Sequence, residues 1–391
     1  MTSKVTSLNN LESRLQNFLP DKSSSKIAVA MSGGVDSSVA LYLLKEAGYE
    51  VFGITAWIVA GGGRCCDDGV IDAVKVCDQL GVEHHAIDLR KDFADGIIKE
   101  FHESYARGET PIPCISCNND VKWGNLLSYS INKLGATHMA SGHYAKLSEL
   151  EGEIKLVRPK EENKDQSYML WGLTDEQISK TVFPLADLDK DEIREIAKEA
   201  KLCVADKPES QDICFVTNGM TNSEYLTRIL GEKPGEIIHI EDNEVLGTHT
   251  GSYNYTYGQR KGLGIAHKEP LYVVKIDSAA NTVYVGNKDH IKGQHCYGKD
   301  VNFISKDLPE KFTSLVKIRY NSDPSLAEVT ILPDNRVKVD FQEPVSAITP
   351  GQALAFYDPE NFEIVYGGAW IEDPKEEDAL KEQEGIKEVV G

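Results

Sequence analysis

Residues 26–48 read KIAVAMSGGVDSSVALYLLKEAG: an apolar run, a double glycine, then an apolar-periodic segment stopped by Gly48. No other stretch restricts the fold as much. "KIAVAM" has the length and character of a short buried strand, and beyond it Val39, Leu43 and Ala47 recur at helical spacing. A strand that turns through two glycines straight into a helix is the first half of a β-α-β unit. The pattern then repeats. "EVFGITAW" (50–57) reads as a second strand, 67–81 as a helix and "EHHAIDL" (83–89) as a third strand. Segments 92–107 and 120–134 read as helices, and "THMASGHYA" (137–145) as a further strand. The expectation is an α/β fold: a parallel sheet with helices on its faces and ligands beyond the carboxyl ends of its strands. The turn at 32–37 and the segment after "MASGH" both fall on that edge.

The turn itself, Ser32-Gly33-Gly34-Val35-Asp36-Ser37, has the makings of an anion site. Glycine permits positive φ and close approach of backbone to a ligand. Successive N–H groups at a helix start point at an anion. Ser32, Ser37 and Ser38 add hydroxyls, and Asp36 is placed to hold a magnesium ion or to cap the helix. The plainer alternative is an ordinary strand-to-helix turn with Ser and Asp as caps. No Gly-x4-Gly-Lys-Ser/Thr follows. A lysine of that motif serves β- and γ-phosphates, so its absence fits chemistry at another phosphate.

Two cysteine motifs follow. "TPIPCISCNNDVKWG" (110–124) carries Cys114 and Cys117 just before the expected helix, a spacing that serves metal binding, redox exchange or thiol activation, or else two buried structural thiols. "KPESQDICFV" (207–216) carries Cys214, which in isolation reads as a core residue. Eight cysteines without a basic-flanked apolar leader argue for a reducing, cytoplasmic setting rather than a disulfide scaffold. No apolar run is long enough to span a bilayer. The net charge of −20 disfavours bulk nucleic-acid binding but leaves room for a local basic surface.

Beyond residue 150 the character of the chain changes. Short helices give way near 222 to turn-rich strands, and 296–372 alternates strands and turns as in a small β-barrel. The expected organisation is an N-terminal extension (1–25), a catalytic domain (26–221), a small central domain (222–293), a C-terminal β-barrel (294–373) and an acidic tail (374–391).

"SGGVDS" after a strand resembles the pyrophosphatase loop of enzymes that cleave ATP between its α- and β-phosphates. The order "SGGVDS", a Pro-rich loop ending in Cys-Asn, "SGHYA", "KDQSYML", "DICFV", "GQRKGLG" and "TPGQALAFY" resembles the tRNA-specific 2-thiouridylase family over roughly 26–372. The resemblance implies an enzyme that replaces O2 of the wobble uridine of certain tRNAs with sulfur, using ATP and Mg²⁺. It implies an ATP site at Ala30, Met31, Ser32, Gly33, Gly34, Val35, Asp36 and Ser37, with Ala56 and Gly142 bordering the adenine. Cys117 would be the nucleophile and Cys214 the carrier of a persulfide, the two closing a transient disulfide. Ile112, Pro113 and Cys114 would border the target base. His143, Lys164, Asp165 and Gln166, with Arg319, Tyr320 and Gln352, match tRNA-contacting positions.

One position departs from the family: many members carry aspartate where this chain has Cys114. Three thiols, Cys114, Cys117 and Cys214, then form a candidate ligand set for a [4Fe–4S] cluster, as in relatives with that pattern, and sulfur delivery by persulfide or by cluster is equally open. Cys65 and Cys66, after the second strand, could relay sulfur or simply pack, with packing or a local structural role the favoured reading. A sulfur donor protein or sulfide source is implied as partner, with no membrane. A basic strip of Arg158, Lys160, Lys164, Arg260, Lys261 and Arg319 would hold the tRNA. Alternatives from other classes are a different ligase on the same loop and a noncatalytic metal-containing RNA-binding protein.

Overall fold

β1 (Lys26–Ala30) has Ile27, Ala28 and Val29 fully buried, as expected of a strand covered on both faces. It is the middle of a five-stranded sheet of order β3-β2-β1-β4-β7 whose neighbours all pair in parallel. The partners are β2 (Glu50–Trp57), β3 (His84–Asp88), β4 (His138–Ser141) and β7 (Thr181–Val182). At the end of β1, Ala30 stands opposite Ile54 of β2 and Ser141 of β4. Strand order reverses between β1 and β4, so a crevice opens there at the carboxyl edge.

The computed structural model describes residues 19–60, 67–208, 213–216 and 219–373. Most of the N-terminal extension, the acidic tail and Cys65 and Cys66 lie outside the described residues. These divide into two compact units. The first runs to Ile97, resumes at Cys114, continues to 216 and takes in Glu363–Val365. The second holds Ile98–Pro113, Gly219–Phe362 and the chain from Tyr366.

In the first unit, α1 (Val35–Glu46) is buried on most of its circumference and shares one apolar core with β1, α2 (Asp67–Leu80) and a later helix, Lys190–Glu199, through Ile193 and Ala197. A hairpin, β5 (Lys146–Leu150) with β6 (Glu153–Val157), follows β4. The helix expected at 120–134 begins earlier. Pro113–Ser116 is a first α-turn, Cys117–Leu126 is a π-helical stretch, and a regular helix runs over Leu127–Leu134. Proline belongs at a helix start because its fixed φ is already helical and its missing N–H would have no partner there. Cys117 therefore lies inside a helix rather than before one.

In the second unit, α3 (Lys99–Arg107), preceded by a π-turn at Ala94–Ile98, packs against α6 (Asn222–Leu230), with α4 and α5 denoting Leu127–Leu134 and Lys190–Glu199. Tyr225 of α6 meets the rings of Phe101 and His102, and Asn222 donates to the Tyr105 hydroxyl. A four-stranded sheet of order β10-β11-β8-β9 comprises Gly235–His239, Val245–His249, Tyr272–Asp277 and Thr282–Gly286 as β8 to β11. The last six strands, β12 (Lys292–Phe303), β13 (Lys311–Lys317), β14 (Ser325–Leu332), β15 (Arg336–Ser346), β16 (Ala353–Tyr357) and β17 (Val365–Ile371), close into the expected barrel, in the order β12-β15-β14-β13-β16-β17. Val316, Val329, Val337, Val339 and Phe356 fill it. Gly298 of β12 faces inward, where a Cβ would come within 2.8 Å of the Ala369 Cβ.

Candidate active site

The glycine turn is tied down from three sides. The Met31 N–H donates to Ile54 O at 2.8 Å, and the Thr55 hydroxyl donates to Met31 O at 2.9 Å. Gly33 has φ +69, and a Cβ on it would sit 2.3 Å from Gly69 O, so the turn runs against the first turn of α2. Inside the turn, Ser32 N donates to the Ser37 hydroxyl, and Ser38 Oγ donates to Gly34 O at 2.8 Å. Gly34 is the N-cap of α1, with no side-chain cap.

Asp36 does not cap the helix. Its Oδ1 accepts from Lys190 Nζ at 2.6 Å and from the Tyr144 hydroxyl at 2.9 Å. One carboxylate oxygen is thus shared by a cation and a phenol. Its place in the first turn, one residue past the first helical position, puts it beyond N-cap geometry.

A cleft of about 280 Å³ opens at the carboxyl edge between β1 and β4. Its wall includes Ala30 at the end of β1, Met31, Ser32, Asp36 and Ser37 from the turn and the start of α1, and Ala56 of β2. Gly142, His143 and Gln166 enter from the β4 side, and Cys117 from the π-helical stretch. Gly33, Gly34 and Val35 form the turn behind that wall. Gly142 is small for a reason: a Cβ there would be 2.6 Å from the Ser37 nitrogen.

Cys117 is buried, and its neighbours on the π stretch are fixed. Asn118 Nδ2 donates to Met169 O at 2.8 Å, and Lys122 Nζ donates to Asn118 Oδ1 at 2.8 Å. Lys122 Nζ also lies 3.3 Å from His143 Nε2, and His143 Nδ1 is 2.7 Å from Ser141 Oγ. An ammonium only donates, so Nε2 is the acceptor and the imidazole proton sits on Nδ1, facing Ser141. Burial, with the Lys122 charge beside it, holds the His143 pKa well below the usual histidine range. His143 is therefore a neutral ring, packed on Trp123.

Cys114 is exposed, Cys214 is half-buried, and neither lines the cleft. Phe215, next to Cys214, packs on Phe93. Among the described residues no group of three His, Cys, Asp or Glu side chains is placed to hold a metal ion. Cys114, Cys117 and Cys214, the expected iron ligands, do not form such a group among the described residues.

The positions matched to tRNA contact separate in kind. Asp165 is buried, accepting from Arg158 Nε at 2.6 Å and from the Ser167 N–H at 2.9 Å. Arg158 is therefore one half of an inward ion pair, not part of a basic strip. Lys160 pairs with Glu192 at 3.2 Å. Gln166 Oε1 accepts from the Tyr144 N–H at 2.9 Å, and Lys164 is half-exposed. In the second unit, Arg319 Nη2 donates to Tyr257 O and Ala347 O, both at 2.8 Å, and to the Thr349 hydroxyl. Tyr320, Ile112 and Pro113 are half-exposed. Gln352 Nε2 donates to Thr110 O at 2.6 Å, and the Thr110 N–H to Pro350 O at 2.9 Å, so the "TPGQ" loop braces the strap leading to Ile112 and Pro113. Arg260 and Lys261 are exposed.

Sequence reasoning missed Lys122, Tyr144, Lys190 and Lys207. Lys207 Nζ donates to Gly33 O at 2.9 Å and to Asp72 at 2.6 Å. Lys122 stood in plain view within the cysteine motif. The other two lysines reach the turn from 154 and 174 residues away and have no local signature.

Three family profiles match the chain in succession: a tRNA methyl transferase HUP domain over 25–218, a tRNA methyl transferase PRC-barrel domain over 223–287 and an aminomethyltransferase beta-barrel domain over 293–371. The chain is 43% identical over 350 residues to the tRNA-specific 2-thiouridylase MnmA of Rippkaea orientalis, covering 89% of this chain and 99% of that one. It is likewise 43% identical over 352 residues to the protein of that name from Nostoc punctiforme, again covering 89% and 99%. Among solved structures, the U34-tRNA thiolase NcsA from Methanococcus maripaludis, described with its [4Fe-4S] cluster, is similar at 21% identity and a TM-score of 0.36, over 53% of this chain and 66% of that one. No helix among the described residues is long and apolar enough to cross a membrane.

Proposed function

Because this chain belongs to the tRNA-specific 2-thiouridylase family, we propose that it uses ATP to replace the O2 of a tRNA wobble uridine with sulfur, in the cleft between β1 and β4. The observation that carries this reading is that the glycine turn, Ala56, Gly142 and Cys117 share one wall. ATP lies with its adenine between Ala56 and Gly142 and its phosphates on the N–H groups from Gly33 to Ser37. Magnesium arrives with ATP as part of the substrate.

The C2 carbonyl of uridine is a poor site for substitution because its oxygen leaves badly. Attack of O2 on the α-phosphate expels pyrophosphate and makes O2 part of an adenylate. Charge building on the α-phosphate meets the turn's N–H groups and the Lys122 ammonium. The terminal sulfur of a persulfide on Cys214 then attacks C2, and AMP departs. The Cys117 thiolate attacks the Cys214 sulfur, closing a disulfide and leaving the other sulfur on C2; a cellular thiol reductant reopens it. A sulfur donor protein recharges the reduced Cys214 by handing it the outer sulfur of its own persulfide and keeping its thiol; alternatively, sulfide attacks the closed Cys117–Cys214 disulfide at Cys214, forming the persulfide and releasing the Cys117 thiolate.

Ile112, Pro113 and Cys114 border the target base. His143 and Gln166 support it from the cleft, with the ring kept neutral by its surroundings. Asp165, Arg319 and Gln352 serve tRNA by fixing the segments around them, while Lys164 and Tyr320, with Arg260 and Lys261, face it. The proposed setting is cytoplasmic.

The test is anaerobic incubation of the full chain with ATP, unmodified tRNA and a sulfur source. AMP and pyrophosphate should form only with tRNA, and 2-thiouridine should appear in digested nucleosides. ATP turnover without sulfur in the tRNA would favour another ligase; tRNA binding without turnover would favour the noncatalytic alternative.

A further inference from the structure

We propose that Lys190 and Lys207 provide, from outside the glycine turn, the two cations that hold the departing pyrophosphate. The inference rests on the ATP reading of the cleft. A helix N-terminus offers only about half a positive charge, whereas pyrophosphate leaves with several negative ones. A turn without a lysine needs cations from elsewhere, and both lysines end on it.

Their placement is built rather than incidental. Lys190 is the first residue of α5, a turn fixed by a reciprocal cap in which Glu192 N–H donates to Asp189 Oδ1 at 2.9 Å and Asp189 N–H to Glu192 Oε2 at 3.0 Å. Ile193 anchors the same turn in the core beneath α1. The Lys190 side chain is 13% exposed, and its ammonium meets Asp36 at 2.6 Å. One turn on, Arg194 donates to the carbonyls of Ala205 at 3.2 Å and Lys207 at 3.4 Å. The same short helix therefore holds the segment from which Lys207 reaches the Gly33 carbonyl. Asp36 pairs with Lys190, and Asp72 is shared between Lys207 at 2.6 Å and Lys75 at 3.1 Å. An arriving anion of higher charge shifts both lysines from carboxylate to phosphate, over a distance a lysine side chain covers by rotation.

The experiment is calorimetric titration of the full-length protein with inorganic pyrophosphate and, separately, with AMP, for wild type, Lys190→Met and Lys207→Met. Each variant should bind pyrophosphate roughly tenfold or more weakly while AMP affinity stays within about twofold. Asp36→Asn combined with Lys190→Met separates the roles: if Lys190 only neutralises Asp36, the pair of changes restores pyrophosphate binding. That restoration would overturn the proposal, as would unchanged pyrophosphate affinity or a parallel loss of AMP. A wild-type protein that binds neither ATP nor pyrophosphate would overturn the reading of the cleft together with it.

Discussion

Replacement of Gly142 by alanine tests how the nucleotide cleft is built. The added methyl group would lie 2.6 Å from Ser37 N, 2.8 Å from the Asp36 carbonyl carbon and 3.0 Å from Ser37 Cα. Carbon contacts settle near 3.5 Å, so the two segments must part by about 0.9 Å (3.5 − 2.6). All three atoms are backbone, and no rotamer change relieves them. Overpacking of this kind costs about 1–3 kcal/mol, which lowers the melting midpoint by roughly 2–12 °C for a unit of this size. Relief comes most readily by retreat of the α1 start, which takes N–H donors away from the phosphates. Losing one charge-assisted hydrogen bond costs about 1.5–3 kcal/mol, a rise in ATP Kd of roughly ten- to 150-fold. Gly142→Ala is measured by ATP calorimetry and thermal melting, beside Gly96→Ala, which has nothing within 4 Å and should match wild type. If Gly142→Ala binds ATP as tightly as wild type and melts with it, the close approach of β4 to the turn does not govern the site.

Cys117→Ser should abolish 2-thiouridine formation with ATP binding intact; if sulfur comes from the Cys214 persulfide, Cys114→Ser should retain activity, and loss of activity together with iron in the wild-type protein would refute that route; nucleoside mass spectrometry and metal analysis check both. Arg158→Met strands the buried Asp165 carboxylate and should cost about 3–5 kcal/mol in urea unfolding, with little change in the salt dependence of tRNA binding. His143 titrates well below its unfolded value of 6.5, so it stays neutral in the folded chain while the unfolded chain takes a proton. Its contribution to stability is complete above that pH and lost as pH falls through it toward the folded value; His143→Gln should flatten this part of the stability profile.

The parallel sheet was legible because its strands are continuous apolar runs and its helices carry a 3.6-residue period between glycines. The site was legible where its residues are local, as in the turn from Ser32 to Ser37. The start of the Cys117 helix was misplaced because Pro113 opens a helix that its own breaker reputation conceals. Arg158 read as a surface cation because sequence does not reveal that Asp165 is waiting for it seven residues on. Lys190 and Lys207 were invisible for a different reason. Their meaning depends on tertiary contacts across more than 150 residues, and a lysine in an acidic helix or a polar loop looks like any other.

The second unit's claim on Ile98–Pro113 has a consequence for the chain as it leaves the ribosome. Phe101, His102 and Tyr105 are made more than a hundred residues before Tyr225 and Asn222, which cover them. Thr110 waits 242 residues for Gln352. Until then an aromatic helix face and the strap before Cys114 stay unsupported on the nascent chain, even though most of the sheet around the glycine turn has been made. No single cut therefore releases an intact N-terminal half. A chain shortened at residue 221 would carry that orphaned segment and offer it to chaperones and proteases, whereas the finished protein protects it.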